Sequence, residues 1–159
     1  MKSHIKIIFF FLILTATTNC GFKVLDKDKL LNLKIQNIET SGDKKTVFLI
    51  RNNLQKIFTK NQGNEKIIIN IKTDKNKKIK EKNLKNQITK YEITLNTNIL
   101  IKFIDRGTNK DFLISVNGSY DVADNHTSTI NNQNNLEKKL SKNSADQIIN
   151  FLIMKINDY

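Results

Sequence analysis

Apolar and polar side chains alternate along much of this sequence. Leu31, Leu33 and Ile35 alternate with Asn32, Lys34 and Gln36, which predicts a first strand. Ile67, Ile69 and Ile71 share one face of residues 66–73, a second strand. A long third strand is expected over residues 88–104. Tyr91, Ile93, Leu95, Thr97, Ile99, Ile101 and Phe103 lie on one side of it. Glu92, Thr94, Asn96, Asn98 and Lys102 lie on the other, with Leu100 the exception. Residues 105–110 read as a hairpin turn around Gly107, and residues 111–123 as a fourth strand.

Two segments carry the helical period instead. Val47, Ile50, Leu54 and Ile57, with Phe58 beside them, predict an amphipathic helix over residues 43–60. Ser41 is the expected N-cap, Asp43 suits the positive end of the helix dipole, and Gly63 suits a left-handed cap. Leu136, Leu140, Ile148, Leu152 and Ile156 predict a last helix over residues 135–157. Residues 124–135 show no period and read as loop. The charged stretch 73–83 reads as a solvated turn or as the ends of a long hairpin.

The order is therefore β-α-β-β-β-α, with a right-handed first crossover. Two single-striped helices fit the one apolar face of a four-stranded, mostly antiparallel sheet. The expected fold is an α+β two-layer sandwich. The other sheet face, rich in Asn, Thr and Ser, is either wet or meets a polar wall of another protein.

Composition narrows the chemistry. The 159 residues suit one domain, with no repeat or linker that would mark a second. One Cys excludes an internal disulfide and a thiolate metal site. The two histidines, His4 and His126, leave little for a metal centre or a triad, and His126 reads as a solvated loop residue. Asp26 and Asp28 are an isolated acidic pair on a polar lead. Neither Gly-x-Ser-x-Gly nor His-Glu-x-x-His occurs. The expectation is no enzyme, no cofactor and no metal. Sequons at Asn117 and Asn125 are what chance yields in an Asn-rich chain.

Residues 1–20 change the picture most. Lys2 and Lys6 precede the apolar run from Ile7 to Leu14, which is too short to span a bilayer, and small polar residues follow. This is a secretory signal pattern, and the only Cys, Cys20, stands where cleavage would occur. The pattern resembles a lipobox, although Thr17 and Asn19 replace its commoner residues. The expected division is a signal peptide at 1–19 and one domain at 20–159, with lipid on Cys20. Lipidation would anchor the chain to a membrane, and Gly21 rather than Asp after Cys20, by resemblance to the sorting rules of enterobacterial lipoproteins, favours the outer membrane. With Lys2 and Lys6 removed, the net charge falls from +12 to +10. Export and the lack of an aromatic stacking motif argue against nucleic acid as the partner of this basic chain.

The strongest charge feature is the run containing Lys75, Lys77, Lys78, Lys80, Lys82 and Lys85. One reading is a solvated hairpin whose lysines blunt the strand edges. The other is a contact for an anionic ligand such as a lipid phosphate, with Lys75, Lys77, Lys78 and Lys80 as candidates.

Cys20-Gly21-Phe22 followed by Lys23, the tyrosine-led strand Lys90-Tyr91-Glu92-Ile93, the final Ala145-Asp146-Gln147-Ile148 helix and the element order together resemble the LptE family of lipopolysaccharide-assembly lipoproteins. Val24 stands where alphaproteobacterial members usually carry Pro. The resemblance implies a non-catalytic outer-membrane lipoprotein, lipidated on Cys20, on the periplasmic face. Such a protein would plug and help assemble the LptD β-barrel and bind lipopolysaccharide or a similar anionic glycolipid. The alternatives are a periplasmic lipid-binding lipoprotein serving an ABC-type lipid transporter, and a structural lipoprotein with no ligand.

Overall fold

The computed structural model describes residues 27–58 and 63–156. The expected signal peptide and Cys20 lie outside the described residues. A 3-10 turn, Lys27–Asn32, leads into β1 (Leu33–Gly42). Then follow α1 (Lys44–Phe58), β2 (Glu65–Lys82), β3 (Ile88–Phe103), β4 (Thr108–Asp121) and α2 (His126–Ile156). The sheet order is β1-β2-β3-β4. β1 runs parallel to β2, and the other two pairings are antiparallel. This is the expected α+β layout, with both helices packed against one side of the sheet.

The core follows from the alternation. Ile67, Ile69 and Ile71 of β2, with Ile93, Leu95, Ile99 and Ile101 of β3, are buried against Ile50 and Leu54 of α1 and Ile148 and Leu152 of α2. Each such side chain contributes about 2 kcal/mol by leaving water. Thr73 and Thr97 sit among them, fully buried, with their hydroxyls 3.1 Å apart, so each satisfies the other.

Several details depart from the sequence reading. Leu31 lies in the 3-10 turn and is half exposed. β1 starts later than expected and runs on through residues 39–42, which read as a break. A bulge between Ile35 and Asn37 shifts its phase by one residue, so Leu33, Ile35 and Ile38 all pack on the core. Only residues 124–125 of the expected 124–135 loop lie outside a helix, since α2 begins at His126. Asn125 caps it, with its side-chain oxygen accepting from the Ser128 N–H at 2.7 Å. That first part of α2 lacks an apolar stripe because it packs through polar side chains. Finally, Asp43 rather than Ser41 caps α1. Its Oδ1 accepts from the Thr46 N–H at 2.9 Å and the Thr46 hydroxyl at 2.8 Å.

The charged stretch is ordered as a long hairpin. β2 and β3 stay paired from Ile67↔Phe103 out to Lys82↔Ile88. Asn83 closes the turn, its side-chain oxygen accepting from the Lys85 and Gln87 amides. Asn86 there takes a φ of 60°.

Candidate functional site

The basic run begins where β2 leaves the apolar core. Ile67, Ile69, Ile71 and Thr73 occupy successive helix-facing positions, and the next two are Lys75 and Lys77. Strand geometry therefore turns these two cations toward the helices, and Lys78 and Lys80 toward the open face. The four candidates do not form one cluster.

Lys75 is met by two carboxylates. Its Nζ lies 3.0 Å from Asp43 Oδ2 at the start of α1 and 3.2 Å from Glu137 Oε1 on α2. The Glu137 side chain is fully buried, and its Oε2 is paired with Lys45 of α1. Gln133 Nε2 donates to Glu137 Oε1 at 3.0 Å. Gln133 Oε1 accepts from Lys77 Nζ at 3.0 Å and from the Tyr120 hydroxyl at 2.9 Å. Lys77 Nζ also stands 4.2 Å from the ring centre of Tyr91, which stacks on Tyr120 at 5.7 Å. A continuous polar seam thus joins α1, β2, β4 and α2.

The seam sets its own protonation. Burial pushes the Glu137 carboxyl up, but bonds from Lys45, Gln133 and Lys75 outweigh it and hold the pKa below the ordinary glutamate value. Partial burial likewise pushes Asp43 up, and the Thr46 and Lys75 donors bring it below the ordinary value. Burial pulls Lys75 down, while Asp43 and Glu137 raise it above the ordinary lysine value overall.

On the open face, Lys78 Nζ lies 2.8 Å from Glu92 Oε1 and Lys80 Nζ 3.8 Å from Glu92 Oε2. Lys80 also donates to Ser119 Oγ at 3.4 Å. The Lys78 bond comes first among the causes that hold Glu92 below the ordinary carboxylate range. Two exposed ammonium groups share one carboxylate, so this patch keeps a net positive charge that an anionic oxygen can meet. His126, expected in a solvated loop, instead opens α2 and is exposed.

Glu137 and Gln133 were not legible as site residues. The signal lay in the α2 stripe, because Leu140, Ser144 and Ile148 continued backward in steps of three and four reach Glu137 and Gln133. Among the described residues, no three His, Cys, Asp or Glu come together to hold a metal ion. Nor is any described helix long and apolar enough to cross a membrane.

No family model matches the chain, and no curated protein matches its sequence. Solved structures match its shape. Rare lipoprotein B from Shewanella oneidensis superposes with a TM-score of 0.58 at 12% identity, over 77% of this chain and 97% of that one. A candidate lipoprotein from Caulobacter crescentus CB15 gives 0.56 at 17% identity, over 83% and 95%. A minor lipoprotein from Acinetobacter baumannii gives 0.52 at 13% identity, over 75% and 93%. The chain therefore has the α+β fold of rare lipoprotein B and these other lipoprotein structures, the layout that the apolar pattern of the sequence led us to expect.

Proposed function

We propose that this chain is a non-catalytic outer-membrane lipoprotein of the LptE type. It is anchored through lipid on Cys20, plugs and helps assemble an LptD-like β-barrel, and assists delivery of lipopolysaccharide or a similar anionic glycolipid. The observation that carries this reading is the fold shared with lipoprotein structures over nearly their whole length, joined to the lone Cys at the end of a signal-like segment. In this reading the sheet's open face meets the barrel wall. Lys78 and Lys80, on that face, contact the anionic headgroup, and Lys75 and Lys77 hold the helix layer to the sheet.

The test is purification of the tagged protein from gently solubilised membranes. A barrel of outer-membrane size should co-purify, and Cys20→Ala should abolish the lipid mass and the membrane association. Recovery as a free monomer argues against the barrel reading. Reversing Lys78 and Lys80 to Glu should weaken binding of labelled lipopolysaccharide without loss of folding, and unchanged binding removes the headgroup role.

A further inference from the structure

β4 is an edge strand that pairs with β3 alone. The Val122 N–H donates to the Thr89 carbonyl at 2.9 Å, in register with the pairs Tyr91↔Tyr120 and Ile93↔Gly118. Bonded pairs alternate along an antiparallel ladder. Even-numbered residues of β4 therefore turn their amides and carbonyls toward β3. Ser115, Asn117, Ser119 and Asp121 turn theirs to the free edge. One bond checks this parity: the Asp121 carbonyl accepts from Asn132 Nδ2 of α2 at 3.1 Å. That bond also shows α2 reaching over the edge.

Two adjoining cavities of about 380 and 330 Å³ run between this edge and the flank of α2. They share Ser119, Leu136 and Lys139, and no β3 residue lines either. Gly118 lets the helix settle close, since a Cβ there would come within 2.7 Å of Leu136 Cδ1. The carboxylates of the groove stand at its two ends. Asp121 at one end lies 3.7 Å from Lys90, and Asp146 is at the other. The middle is cationic. Lys139 and Lys142 are exposed and make no hydrogen bond or ion pair among the described residues.

We propose that this groove binds an extended acidic segment of a partner protein by strand addition. The segment's backbone pairs with the outward groups of Ser115, Asn117 and Ser119, and its carboxylates on the helix side meet Lys139 and Lys142. The other edge, β1, is shorter and carries a bulge, which disfavours a regular added strand. This inference does not depend on the function proposed above.

The probes are a nine-residue peptide of alternating Glu and Thr, capped at both ends, and its Lys–Thr counterpart. The Glu peptide should bind the full chain and slow hydrogen exchange at the Asn117 and Ser119 amides at least tenfold. Asn117→Pro removes an outward amide and leaves the β3 ladder intact; it should weaken binding at least tenfold. Lys139→Glu with Lys142→Glu should do the same and make the Lys peptide the better ligand. If Asn117→Pro fails to fold by circular dichroism, the charge-reversed variant decides alone. No binding, equal binding of the two peptides, or undiminished binding by a folded Asn117→Pro overturns the proposal. So does a concentration-dependent dimer that protects the same amides without peptide, because that assigns the edge to a second copy.

Discussion

Glu137 of α2, with its side chain wholly buried, lies 3.2 Å from Lys75 Nζ on β2. The two residues are 62 positions apart in sequence. Their contact fixes where the polar half of α2 rests on the strand. A buried carboxylate is tolerated because Lys75, Lys45 and Gln133 all donate to or pair with it.

Removing that carboxylate leaves Lys75 and Lys45 short of a partner. Glu137→Gln should destabilise the fold by about 2 kcal/mol in urea unfolding. This is below the full cost of breaking a buried pair because Lys45 remains half exposed. A change within 0.5 kcal/mol would show that the seam contributes nothing net.

Asp43 has two separable jobs, capping α1 and pairing with Lys75. Asn caps as well as Asp but carries no charge. Asp43→Asn should therefore cost less than Asp43→Ala, by about 1 kcal/mol, the usual worth of a cap. Equal losses would mean that only the charge matters.

The seam also predicts the pH profile. Asp43 and Glu137 have folded-state pKa values below their ordinary 3.8 and 4.5. Their contribution is complete above the ordinary values and is lost as pH falls through the lowered ones. Lys75 is raised above its ordinary 10.5, so its contribution holds below that value and is lost as pH rises past the raised one. Unfolding midpoints should be flat between about pH 5 and 10 and fall on both sides. The acid slope should shrink in the Asp43→Asn, Glu137→Gln double variant.

Gly42, where β1 turns into α1, has a φ of +93°, and a Cβ there would lie 2.1 Å from the Thr73 carbonyl oxygen. That oxygen is backbone in the centre of the sheet and accepts from the Asp43 N–H at 2.8 Å, so it cannot move aside. Gly42→Ala should cost on the order of 3 kcal/mol. Gly107, at φ +63° with nothing near its missing Cβ, should accept Asn with little loss. Thermal unfolding of the two variants makes the comparison.

β3, β4 and the inner half of β2 were legible because each buries one face, and burial of one strand face is what imposes a two-residue period. Beyond Thr73, β2 is mostly exposed and its outer half carried no apolar period. The start of α2 was not legible. Residues 126–135 pack through Gln133 and Asn132, and a polar contact leaves no apolar period in the sequence. β1 was half legible, because the bulge at Ile35 and Asn37 breaks the alternation that would have carried the reading to Gly42.

By itself, the sequence determined the element order, the apolar faces and the presence of a basic run, since all three follow from local period and composition. Only the tertiary structure decided what the run does. Strand alternation sends Lys75 and Lys77 to one side and Lys78 and Lys80 to the other. Which carboxylates await them depends on how α1 and α2 cross the sheet. That arrangement is set by contacts between residues far apart in the chain, which no local pattern encodes.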